Sequence, residues 1–159
     1  MIESIFVYIG SYLQDGIQHR RPGELPEILK LSVSNLDYST EQKHISITYN
    51  IDLLNNNELA SHYSFVSIFQ INDLEFENAF LTTINSETKV FDDYSSNILV
   101  AMIRFSFPFI RQMVQSMTND IAGAVLLPLI DASALLQQGL EFQRETKEKS
   151  SKVIKKRKK

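Results

Sequence analysis

Ile98-Leu99-Val100-Ala101-Met102-Ile103-Arg104-Phe105-Ser106-Phe107-Pro108-Phe109-Ile110-Arg111-Gln112-Met113-Val114 is the longest apolar stretch of the chain, and its folding constrains everything around it. It approaches the length of a membrane span. However, Arg104 and Arg111 would each be penalised by about 2.5–3.5 kcal/mol at a bilayer centre, and Pro108 lies between them. No membrane insertion is expected. Residues 95–118 read instead as a helix, with Ser95 or Ser96 as its cap behind Asp92 and Asp93, whose charges suit a helix N-terminus. On a helical wheel Arg104, Arg111 and Gln115 fall with Pro108 on one narrow stripe, and apolar side chains cover most of the remainder. One sheet face cannot hide that circumference. The helix is therefore expected to lie between its own sheet and another subunit, with Ile98, Met102, Phe105, Phe109 and Met113 as the oligomer interface. Pro108 removes a backbone donor and is expected to kink the helix near its middle.

Strands precede this helix. Ile45, Ile47, Tyr49, Ile51 and Leu53 alternate with Ser46, Thr48, Asn50 and Asp52, the pattern of a strand with one buried and one wet face. Asn55-Asn56-Asn57 marks a turn, after which residues 60–71 form a second strand, apolar on both faces in its latter half. Leu29 to Tyr38 forms a third, and its apolar phase changes between Leu31/Val33 and Leu36/Tyr38, as a bulge produces. Ile2 to Leu13 forms a fourth. The loop from Gln14 to Glu27 contains Gly16, Pro22, Gly23 and Pro26 and is longer than a hairpin needs, which points to a crossing connection. Residues 72–92 are compatible with a short helix, through Phe76, Ala79 and Phe80, or with an irregular loop. Gly123 to Ile130 is an apolar connector, and a second helix is expected from Ala132 to Lys149 with Leu135, Leu136 and Leu140 at helical spacing. The fold class is α+β: a four-stranded antiparallel sheet with two C-terminal helices on one side.

At 159 residues the chain fits one domain, and 43% hydrophobic residues, with ten Phe and six Tyr, supply ample core. Residues 144–159 hold nine Lys/Arg against two Glu, leaving seven basic and seventeen acidic residues in the preceding body. Residues 1–143 are therefore expected to form the domain, and 144–159 a basic, flexible tail. Absence of Cys excludes disulfides and thiolate chemistry and is compatible with a reducing cytoplasm. Ile5 to Ile9 is too short for a signal-peptide core. His19, His44 and His62 lack any mutual spacing suited to metal ligation, and Asp92-Asp93 reads as a helix cap before an acid/base pair. The five glycines form no phosphate-binding loop. No catalytic residue, metal or cofactor is expected, and the chain reads as a non-enzyme.

Phe107-Pro108-Phe109 with Arg111, then Leu127-Pro128-Leu129-Ile130-Asp131 and Ala134-Leu135-Leu136, resemble the helix region of the SecB family. There a Phe-Pro-aromatic-x-Arg segment lies in a long helix, and a Leu-x-Pro-x-Asn/Asp segment leads into a second. The resemblance spans roughly residues 29–140. Ala132 stands where the family has an aromatic. SecB proteins are ATP-independent export chaperones of the bacterial cytoplasm, tetramers built as a dimer of dimers, that hold unfolded clients in apolar grooves. The resemblance implies a client-binding set of Ile17, Leu25 and Ile28 from the crossing loop, Phe65 and Phe69 from the sheet, and Leu126, Leu129, Leu135, Leu136 and Leu140 from the connector and second helix.

Two departures bear on partners. Family members hand clients to SecA through an acidic sheet surface and an acidic tail, whereas His62-Tyr63-Ser64-Phe65 has no acidic residue and the tail ends Lys155-Lys156-Arg157-Lys158-Lys159. SecB-like chaperones of toxin–antitoxin–chaperone systems, which hold an unstable antitoxin, are the alternative the same residues allow. A non-chaperone oligomeric adaptor is a further one. Nucleic-acid binding through the tail ranks below these.

Overall fold

In a computed structural model, which describes residues 5–18, 25–119 and 124–143, five strands and three helices form one α+β unit. The strands are β1 (Phe6–Gln18), β2 (Ile28–Ser39), β3 (His44–Asn55), β4 (Glu58–Ile71) and β5 (Leu140–Gln143); the helices are α1 (Leu74–Ile84), α2 (Asp93–Thr118) and α3 (Ala132–Gln137). The sheet order is β1-β4-β3-β2-β5, antiparallel throughout. β1 and β2 are thus consecutive in sequence but separated by two strands, so their connection crosses the sheet, as the length of the loop predicts.

β3 is the centre of the sheet. Its inward residues Ile45, Ile47, Tyr49, Ile51 and Leu53 are at most 2% exposed, while the intervening polar residues line the opposite face. Asn56 and Asn57 both take left-handed φ, 50° and 60°, giving the two-residue turn whose twist matches the β3–β4 hairpin. β2 pairs with β3 through a register shift between Val33 and Asn35, so Ser34 is the extra residue and both Val33 and Leu36 keep the helix side.

The helices cover the inward face. Ile98, Leu99, Met102, Ile103, Phe107 and Ile110 of α2 are buried, each contributing about 1.5–3 kcal/mol of apolar transfer. The Asp92 carboxylate caps this helix by accepting from Ser95 N at 2.7 Å, so the cap lies at Asp92 and not at Ser95 or Ser96. Pro108 stands inside the continuous helix on its exposed side. Residues 74–84 form a helix, settling what the sequence leaves open: Asp73 accepts from Phe76 N at 2.8 Å, and Phe76 and Phe80 are fully buried.

Three expectations need correction. Among the described residues the sheet has five strands, not four, and the helices number three. β1 runs on to Gln18, through residues read as loop, because pairing with β4 continues past an irregularity between Leu13 and Asp15. The second helix stops at Gln137, and Leu140 lies on a strand. Gln138 is already extended, and Gly139 approaches the Leu31 carbonyl so closely that a Cβ there would lie 3.0 Å from it. Pairing with the β2 edge overrides helical spacing, since Leu140 and Phe142 alternate as a strand requires. The tail from 144, and the N-terminal residues expected to begin the first strand, lie outside the described residues.

Candidate peptide-binding grooves

The connector before α3 is held at two points. Thr118 Oγ1 accepts from Val125 N at 2.8 Å, and Arg111 Nε donates to the Leu127 carbonyl at 2.8 Å. Val125 and Leu127 are thereby drawn into the core, and the residues between and beyond them turn outward: Leu126 is 66% exposed and Leu129 85%. Both leucines therefore stand outward on a segment fixed by two hydrogen bonds. Asp131 then caps α3 by accepting from Ser133 N and Ala134 N.

Two grooves flank the junction of β2 and β5. The first encloses about 420 Å³ and is lined by Leu25, Pro26, Leu29, Leu126, Pro128 and Phe142, with Glu27 as its acidic member. The second, of about 510 Å³, lies where β2 bulges: Val33, Leu36, Ile84, Phe91 and Leu136 form its apolar wall, and Asn35, Asp37, Asn85 and Lys89 its polar rim. A smaller hollow of about 130 Å³ lies between Arg104, Pro108 and Leu129.

The residues expected to bind clients are thus divided. Leu25 and Leu126 line the first groove, Leu136 the second, and Leu129 the small hollow. Ile28 and Leu140 are half-buried members of the β2–β5 pair between the two grooves. Ile17 lies on β1, three strands from β2, and is not part of the same surface. Phe65, Phe69 and Leu135 are at most 2% exposed, because strand alternation and the α3 turn point them into the core; they line none of the three hollows described above. The expected oligomer set divides too. Ile98 and Met102 are consumed by the chain's own sheet and Met113 is half-buried, whereas Phe105 and Phe109 are 52% and 45% exposed. These two pack with Tyr8 of β1, at ring-centroid distances of 5.5 Å and 5.0 Å, into an aromatic cluster at the margin of the sheet.

Phe142, Pro128, Val33 and Phe91 were not anticipated in this surface. The alternation Leu140-Glu141-Phe142-Gln143 carries the signal for the first of them.

Among the described residues no three His, Asp or Glu gather closely enough to hold a metal ion, and no helix is long and apolar enough to cross a membrane. The shifted groups are structural. Burial pushes the Tyr38 phenol up to about 12, helped by its hydrogen bond and proximity to Glu77, and this pair ties β2 to α1. Burial likewise raises Tyr49.

No protein-family model matches the sequence, and no curated protein matches it. The fold is SecB-like. A solved structure sharing it is the SecB-like chaperone Rv1957 of Mycobacterium tuberculosis, in complex with a ChAD peptide from the HigA1 antitoxin Rv1956. The TM-score is 0.50 at 13% identity, covering 81% of this chain and 93% of that one.

Proposed function

We propose that this protein is an ATP-independent, SecB-like holdase, and that its client is the exposed apolar segment of an antitoxin. The observation that carries the reading is the outward display of Leu126 and Leu129 beside the groove at Leu25, Leu29 and Phe142, on a fold whose solved counterpart holds an antitoxin peptide. Grooves of this kind accept varied side chains. Three or four client side chains, buried at about 1.5–3 kcal/mol each, give a gross gain of roughly 5–12 kcal/mol, much of it offset by ordering the client. One groove binds weakly; several grooves on one oligomer, engaged by one long chain, bind well through local concentration. The half-exposed Phe105 and Phe109 are the contact we assign to further copies, in a dimer or a dimer of dimers.

Export through SecA is the weaker reading, since the strand segment His62 to Phe65 has no acidic residue and the tail is strongly basic where such delivery uses acidic groups. The cytoplasm is the compartment that fits either reading. The test combines stoichiometric suppression of aggregation of a denatured protein without nucleotide with pull-down against a cognate antitoxin and against SecA. Protection with antitoxin capture supports the proposal; protection with SecA capture alone moves the function to export. No protection at all leaves an oligomeric adaptor.

A further inference from the structure

The two grooves share one wall. β2 is twelve residues long, yet β5 pairs with it only from Ile28 to Leu31; among the described residues, the remainder of that β2 edge has no strand partner. One groove opens at Leu29 and the other spans Val33 to Asp37, so four residues of β5 stand between two hollows lined by the same strand. β5 itself is a poor fixture. All four of its residues are half-buried or exposed, and its cross-strand ion pair, Lys30 Nζ to Glu141 Oε2, is 4.0 Å long between side chains about half exposed. Such a pair contributes little. Gly139, at the entry to the strand, has the Leu31 carbonyl against it, so a side chain there would crowd the point where β5 docks.

What β5 does present is a pattern. Leu140 and Phe142 point toward the helix layer opposite Leu31 and Leu29, with Glu141 and Gln143 turned away. An extended peptide with apolar side chains at alternate positions would make the same contacts and the same main-chain hydrogen bonds, and could continue in both directions into the grooves that β5 leaves empty. We propose that β5 is a placeholder strand held in cis, and that an extended client segment displaces it from the β2 edge, joining the two grooves into one trough. The inference rests on the holdase reading and adds a mechanism of capture to it. A client must compete with β5, so short or weakly apolar segments are rejected while long alternating ones are taken.

The chain has no cysteine, which makes the test direct. Lys30→Cys with Glu141→Cys places two thiols on paired residues of antiparallel strands, where a disulfide is sterically allowed. The probe is a fluorescein-labelled peptide as long as β2, with leucine and threonine alternating and lysines at both ends. The oxidised protein is expected to bind it at least tenfold more weakly than the same protein after reduction. Gly139→Val, which crowds the Leu31 carbonyl and loosens β5, is expected to bind it several-fold more tightly than the parent. Equal affinity of the oxidised and reduced forms, or no tightening by Gly139→Val, overturns the placeholder while leaving the holdase reading intact. Absence of binding by every form overturns both.

Discussion

Tyr49 carries a phenol into the middle of the core, 2% exposed, and its oxygen lies 2.7 Å from Ser106 Oγ of α2. Ser106 donates its own proton to the Met102 carbonyl at 3.0 Å, so the phenol is the donor to Ser106. Removing the serine hydroxyl strands a buried donor, and Ser106→Ala is expected to cost about 1–3 kcal/mol in urea denaturation. Tyr49→Phe together with Ser106→Ala should recover part of that loss, since both ends of the bond are then gone. Tyr38 makes a prediction in pH. Its phenol ionises near 10 when free and near 12 when folded, so the folded chain holds the proton more tightly. The resulting contribution is fully present below pH 10 and is lost as pH rises through about 12. Unfolding monitored along an alkaline series should show this loss, and Tyr38→Phe should remove it. None of these pairings is legible in the sequence, because a partner 57 residues away leaves no local pattern.

Elements were legible in proportion to how far one face decides them. β3 alternates cleanly because helices cover one side and water the other, and α2 announces itself because its buried residues recur at helical spacing. The bulge in β2 was legible for the same reason, as a change of phase. The start of α3 was legible, but its end and β5 were not, since Leu135, Leu136 and Leu140 satisfy a helix on paper, and only the vacant β2 edge, a distant partner, turns the last of them into a strand residue. Likewise Gln14 to Gln18 reads as loop until β4 is there to pair with it. The β3–β4 turn gives the test at this scale. Asn57 adopts φ 60°, a conformation that β-branched residues resist, so Asn57→Val should lower stability by about 1–2 kcal/mol, and Asn57→Gly should be neutral or stabilising. Thermal melts of the three proteins would rank them.

For the molecule as a whole, the surplus of apolar side chains was evident from the sequence, but its distribution was not. Much of α2 that looked available is covered by the chain's own sheet, leaving Phe105 and Phe109 outward beside Tyr8. The self-association proposed above rests on these two side chains, so Phe105→Ser with Phe109→Ser is expected to lower the mass measured by light scattering, with far-UV circular dichroism unchanged. An unaltered mass would place the contact elsewhere. About half of the expected binding residues proved to be in or beside the grooves, because exposure of a leucine depends on what fixes its neighbours. Here Arg111 and Thr118 do that work through main-chain atoms, which no side-chain pattern records. Across the entire sheet, odd and even positions are sorted between an oily side and a wet one, and the count of residues is what keeps the sorting true. β2 carries one residue more than its partner requires, at Ser34. A one-codon loss there would leave every pair with β3 matched and merely straighten the strand. The same loss at Thr48 would turn half of the central strand inside out, so two deletions on neighbouring strands should separate a folded protein from an insoluble one.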